Sequence, residues 1–595
     1  MEEMTTPKED ESAGSSSSDA AAQLKDAGNA LFVQKKYTDA ARKYTEALAI
    51  EESAVLLANR SACRLGLGKY ADALTDARRA TDVDPTYAKG YARVATAYEG
   101  LGMHLEAIGS WTKAIEMLST ATPSAAQTRQ KELYENSLNE NRRFFEAMLK
   151  DPTILLKGMS IPKGMNPGLM KDPGDVSEEL LPEIKNNMFS SAWVVLGARK
   201  EYTLGTQISR EQKPVKAAEA EHLKKEGALI GDLRELRFLA PDANSDGLYV
   251  YKDGAMRALA TAMLRDKRVY NVYPKDFFGK FDIQETFEMD RTEAWGAGPA
   301  EDNMKEAKAR LAEKGWDALR PALEVTVYHY IMHAGLDSSL KQRNDLAVQY
   351  CERAVNLIRL GREEWKDVPS QVRGHVFDDW FYNAIRAFHI GMYSLAGQID
   401  RALFTVDNLE EFADELLNDI EKTEPPPPDD TDPGYALSFH VYPKAMALAQ
   451  KGNCHNIRSV LSPEARKNPE IKKRICLEGS RYMIESANLY PPDEDIHLFD
   501  LYLALDMLYN AQAPLSEILP IMERIRTGYP LVKKYWPTSY CHMDRDGVVA
   551  EVAKAEKEAR EGLAKGKLCM DGPFSPTTAA LAAPALKKKV GKKKK

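Results

Sequence analysis

Five side chains in the first hundred residues have the types and spacing to hold carboxylates. Lys25 and Asn29 stand four apart, Lys89 and Arg93 again stand four apart, and Asn59 lies between the two pairs. On an α-helix residues i and i+4 share a face, so each pair presents its heads together. Ammonium and guanidinium groups give charge-assisted hydrogen bonds to carboxylates, and asparagine amides add directional bonds to a peptide backbone. A chain-terminal aspartate, with one main-chain and one side-chain carboxylate, is a ligand that calls for such a set.

Other constellations are weaker. Asp242, Asn244 and Asp246, with Gly247 sixth and Asp253 twelfth, offer oxygens at the spacing of a calcium loop. The last ligand is aspartate rather than bidentate glutamate, Pro241 fits poorly with a helix running in, and no partner loop follows. A plain turn is the economical reading. His329 and His333 are spaced i, i+4 but lack the intervening glutamate of a zinc hydrolase, so they read as packing residues. Gly66-Leu67-Gly68-Lys69 lacks the spacing and following Ser/Thr of a phosphate loop. Six scattered cysteines (Cys63, Cys351, Cys454, Cys476, Cys541 and Cys569) include no C-x-x-C pair, which argues against a thiolate zinc site and for a reducing compartment. No catalytic signature and no cofactor motif stands out.

The elements that must position the first set repeat. Tyr37, Ala40, Tyr44 and Ala47 share a helical face; the pattern returns as Tyr70, Ala73, Ala77, Ala80 and then as His104, Ala107, Trp111, Ala114. The spacing is 33 residues, then 34. Each such helix follows another, over 24–34, 55–67 and 89–101. Small residues (Ala27-Gly28, Ser61-Ala62, Ala95) stand where the paired helices must approach closely.

Period, paired helices and small-residue positions resemble tetratricopeptide (TPR) repeats across 20–119. That resemblance implies a superhelix whose first helices line a concave groove, bringing Lys25, Asn29, Asn59, Lys89 and Arg93 together. The set resembles the carboxylate clamp of the Hsp-organising and small glutamine-rich TPR families, which hold the Glu-Glu-Val-Asp ends of heat-shock chaperones. The function implied is that of a non-enzymatic co-chaperone adaptor. Two rivals are an enzyme whose catalytic region is unreadable, with the repeats as a targeting module, and a calcium-responsive scaffold.

The fold class expected is all-α: a TPR superhelix followed by a second, TPR-like helical array. Residues 1–19 are acidic, serine-rich and expected to be disordered; 120–150 form a capping helix; 151–225, rich in proline and methionine at its start, a linker; 226–310 an uncertain mixed region. Helical patterning resumes over 311–423. An acidic, proline-rich spacer at 424–434 precedes a helical-repeat-like domain at 435–566, which would hold a client or second partner. Residues 567–595 read as a disordered lysine-rich tail. A net charge of −8 over 595 residues is too mild to imply a nucleic-acid partner, and no apolar run is long enough for a membrane span. The expected location is the cytoplasm, with the lysine tail as the one feature that would address the chain to the nucleus.

Overall fold

The computed structural model describes residues 12–101, 103–118, 124–150, 178–185, 187, 189–232, 248–266, 268, 277–339, 342–425, 432–537, 539 and 544–576. Its first six helices pair into three hairpins: α1 (Ser12–Val33) with α2 (Tyr37–Leu48), α3 (Ala54–Gly66) with α4 (Tyr70–Val83), and α5 (Ala88–Leu101) with α6 (His104–Leu118). The repeated alanines Ala40, Ala47, Ala73, Ala77, Ala80, Ala107 and Ala114 are all buried where helices cross. Glycine is required at two joints. A Cβ on Gly66 would meet the Tyr37 ring at 2.7 Å, and one on Gly100 would meet Tyr70 at 2.0 Å. Each ring, from the second helix of one repeat, seats on the first helix of the next.

Helix α7 (Ala125–Lys150) covers the last repeat. Tyr134 packs on Trp111 with ring centroids 5.2 Å apart, and the indole N–H of Trp111 donates to Glu99 at 2.7 Å. Capping of this kind shields an apolar face that a repeat stack would otherwise leave in water.

Beyond it the structure departs from the sequence expectations. Helix α1 already begins at Ser12, inside the segment expected to be disordered; the helix-forming run after Asp19 extends backwards through the serines. Residues 178–225 are packed rather than a linker. They carry α8 (Leu181–Lys185), α9 (Ala192–Arg210), β1 (Lys213–Val215) and α10 (Ala217–Lys225). The prolines that suggested a linker end before the apolar stretch at Ala192–Val195, whose residues pack with Val532, Tyr535 and Trp536. Strands β2 (Leu229–Asp232) and β3 (Leu248–Tyr251) join β1 in a small antiparallel sheet, order β1-β3-β2, with Val215 opposite Leu248 and Ile230 opposite Val250.

Helices α11 (Ala255–Arg265), α12 (Phe277–Thr292), α13 (Ala300–Lys314), α14 (Trp316–Ser339), α15 (Asn344–Glu364), the short α16 (Ser370–Arg373), α17 (Asp379–Ile399) and α18 (Val406–Ile420) follow. Of the proline spacer, 426–431 lie outside the described residues. Its end is anchored: Asp432 takes two bonds from Arg265, at 2.5 and 2.6 Å. The chain then runs from α19 (Gly434–Ala436) through a π-turn into α20 (Tyr442–Leu461), α21 (Pro463–Lys467), α22 (Pro469–Leu489), α23 (Asp495–Asn510), α24 (Leu515–Tyr535) and α25 (Arg545–Ala564). Where the tail was expected to be free from 567, Leu515 N–H bonds Gly572 O at 3.0 Å and Phe574 is buried. The lysine run itself lies outside the described residues. The molecule is an all-α superhelical array, and none of its described helices is long and apolar enough to cross a membrane.

One hydrophobic core runs from the second and third repeats (Leu74, Tyr98, Leu101) into α11, α14, α15 and α17. Arg343 donates to Gly100 O at 2.5 Å and lies over the Tyr70 ring, 5.2 Å from its centroid. The N-terminal repeats are therefore one end of a larger body.

Candidate peptide-carboxylate site

The first helices of the three repeats, α1, α3 and α5, stand side by side. Lys25 and Asn29 lie on α1, Asn59 on α3, Lys89 and Arg93 on α5. Asn59 Nδ2 donates to Asn29 Oδ1 at 3.3 Å, and the Tyr44 hydroxyl donates to the same oxygen at 2.7 Å. With Oδ1 occupied twice, Asn29 keeps its two N–H donors for a ligand. Tyr44 is almost fully buried, and burial pushes its hydroxyl up to about 12, so it remains a donor. It reaches Asn29 because residue 28 is glycine: a Cβ there would sit 2.7 Å from the tyrosine ring.

Arg93 is half-buried between α3 and α7. Its charge acts on Cys63, Tyr87 and Tyr134, in each case opposing the upward push of burial, which carries the Cys63 thiol to about 11. Lys25 is half-buried and Lys89 is exposed, one turn before Arg93.

The charge pairing of the domain sorts its cations into two groups. Arg60 grips the buried Asp76 with two bonds of 2.9 and 2.7 Å, and Arg64 reaches the same carboxylate at 2.8 Å. Arg79 holds Glu52 at 2.7 and 3.0 Å. Lys25, Lys89 and Arg93 pair with no carboxylate among the described residues. The row of first helices thus carries two amides locked in a network and three cations that pair with no carboxylate among the described residues, a donor-lined surface.

Sequence reasoning missed Tyr44 and Asp76 as parts of this arrangement. Tyr44 was legible as a packing position, and its hydroxyl gave no separate signal. Asp76 is three past Ala73 on a helix whose charged residues all look alike in sequence. The small residue Ser61 does more than allow close approach: its hydroxyl donates to Ala73 O at 2.7 Å.

The other candidates fare differently. Asp242, Asn244 and Asp246 lie outside the described residues; Asp253 pairs with Arg291. The flanking elements are the paired strands β2 and β3, whereas a calcium loop of the helix–loop–helix kind needs helices on both sides. Gly68 turns the chain between α3 and α4 with φ +72°, as a turn glycine. His329 and His333 are buried on α14 and share one carboxylate, Glu285 of α12.

No protein-family model matches the sequence. Heat shock protein STI1 of Saccharomyces cerevisiae is 34% identical over 180 residues, covering 25% of this chain and 30% of that protein. The crystal structure of the Sgt2 TPR domain from Aspergillus fumigatus is 32% identical, covering 21% of this chain and 82% of that domain, with a TM-score of 0.18. Over its N-terminal repeats the chain is similar to tetratricopeptide-repeat co-chaperones. The first TPR of Spaghetti (RPAP3), solved bound to the HSP90 peptide SRMEEVD, is 27% identical and is covered to 94%, on 20% of this chain, with a TM-score of 0.18. The chain spans less than a third of the length of the curated relatives it matches; the likeness is one of TPR domains.

Proposed function

We propose that this TPR protein is a co-chaperone adaptor that grips the acidic C-terminal tail of a heat-shock chaperone of the Glu-Glu-Val-Asp type. The terminal aspartate would sit among Lys25, Asn29 and Asn59 on one side and Lys89 and Arg93 on the other. The observation that carries the reading is the split in charge pairing: Arg60, Arg64 and Arg79 are satisfied internally, while the three clamp cations have no carboxylate partner among the described residues. The RPAP3 domain, similar over the same length, was solved with a peptide ending in Glu-Val-Asp. The role is binding without catalysis, in the cytoplasm, with the C-terminal array holding a client or second partner.

The test is titration of a peptide ending in Met-Glu-Glu-Val-Asp into the full chain and into the Lys89→Ala and Arg93→Ala variants. Removing one partner of a desolvated charge pair costs about 2–5 kcal/mol, so each variant should bind at least roughly 30-fold more weakly. Affinity unchanged in both variants would place the peptide elsewhere or nowhere.

A further inference from the structure

We propose that Glu285, His329 and His333 form a binding site for a divalent transition-metal ion of the zinc class, at the seam where α12 crosses α14. The sequence shows only half of it. His329 and His333 stack on one face of α14, and the carboxylate that the sequence lacks between them arrives from α12, more than forty positions earlier. His329 Nδ1 lies 2.8 Å from Glu285 Oε1, and His333 Nε2 lies 3.0 and 3.1 Å from its two oxygens. One ligand atom from each residue falls within 4.8 Å of the others. A tetrahedral ion with bonds of about 2.0–2.2 Å holds its ligand atoms roughly 3.3–3.6 Å apart, so small side-chain adjustments make the three atoms a face of such a shell.

The donor chemistry selects the class of ion. Two imidazole nitrogens and one carboxylate oxygen suit zinc and its neighbours, whereas calcium and magnesium want oxygen throughout. The site is dry: Glu285, His329 and His333 are 5%, 0% and 7% exposed. An isolated carboxylate in such a place is costly, and no lysine or arginine pairs with Glu285 among the described residues. The imidazoles are also held as ligands must be. Tyr350 lies against His333 with centroids 5.3 Å apart and stands edge-on to His329 at 6.2 Å, with Phe281 6.5 Å from His333. His329 Nε2 is buried without a regular hydrogen bond, next to the Gly296 backbone. An imidazole bound to metal through Nδ1 carries its proton on Nε2, and a backbone carbonyl is a usual acceptor for it. With three protein ligands, the fourth position of a tetrahedral shell is left to a small ligand such as water.

The experiment uses the full chain, stripped with a chelator and returned to metal-free buffer. Zinc is titrated in competition with a chromophoric chelator, and cobalt is titrated separately with its visible spectrum recorded. One equivalent of zinc should bind and raise the melting temperature, since a ligand of the native state stabilises it. Cobalt should give the intense d–d bands of a four-coordinate N/O site, without thiolate-to-cobalt charge transfer. Glu285→Gln and His333→Ala should cost more than the roughly 10–100-fold that loss of an outer-shell partner costs, and Cys351→Ser should change nothing. No stoichiometric metal in the wild-type chain would overturn the proposal and leave a hydrogen-bonded His-Glu-His cluster. A thiolate signature with cobalt, or undiminished zinc binding in His329→Ala/His333→Ala, would overturn it too. The wild-type titration and the cobalt spectrum decide the matter even if a variant fails to fold.

Discussion

At the scale of residues, the repeat domain separates cations that hold the fold from cations available to a ligand. Asp76 is 2% exposed and takes bonds from both Arg60 and Arg64, which tie α3 to α4. Removing it leaves two arginines facing a buried position without a counter-charge, the strongly destabilising half of a broken pair. We expect Asp76→Ala to lower stability by about 3 kcal/mol, read by urea denaturation of the full chain. Lys89→Ala, removing an exposed side chain with no carboxylate partner among the described residues, should leave the same curve within about 0.5 kcal/mol. A Lys89 variant that unfolds as readily as the Asp76 variant would mean that the lysine serves the structure. All five clamp types were legible in the sequence, because i, i+4 pairs and a repeat period are local facts. The Tyr44–Asn29–Asn59 network was not, because a hydrogen bond between successive repeats depends on how they stack.

At the scale of elements, the helix pairs were legible wherever one apolar face packs on its sequence neighbour. The stretch 435–566, expected to be helical, carries α20 to α25 one after another. What stayed hidden are contacts between distant elements, such as α12 with α14 and α9 with α24, because no period connects them. One such junction has a pH dependence. Ser486 on α22 places its hydroxyl 2.9 Å from Ala445 O on α20 and 2.6 Å from Asp500 on α23. A single hydroxyl proton serves only one of those acceptors. A protonated Asp500 supplies the second proton, donating to Ser486 while Ser486 donates to Ala445. Burial pushes the Asp500 carboxyl up to about 7, against the downward pull of the Ser486 bond. The folded value lies above the unfolded one of about 3.9, so the folded state binds the extra proton between them. Its stabilisation is present at pH 4 and is lost as pH rises through about 7. Asp500→Asn keeps the donor at every pH. We expect it to raise the melting temperature over wild type at pH 8 and to match wild type near pH 4. A difference that is constant with pH would show that Asp500 does not titrate in this window.

At the scale of the whole molecule, a linker over 151–225 would have left the repeats a detachable module, and the shared core argues otherwise. Leu74, Tyr98 and Leu101 belong to the same apolar cluster as Met256, Leu323 and Ile358, and Arg343 closes the seam over Tyr70 and Gly100. Cleavage at a protease site inserted within 151–177 should therefore leave two fragments that co-elute in gel filtration. Separation of the fragments would restore the module. Arg343→Ala should loosen the seam by removing both a bond to a carbonyl and a cation–ring contact. None of this bears on the groove's chemistry, which rests on the charge of the peptide's last residue. The direct measurement is calorimetric titration of the intact protein with two peptides ending in Met-Glu-Glu-Val-Asp, one with a free C-terminal carboxylate and one amidated. Loss of one carboxylate from a clamp built of Lys25, Lys89 and Arg93 should weaken binding at least about 30-fold, and added salt should narrow the gap by screening. Equal affinity for the acid and the amide would contradict the clamp, however closely the repeats match.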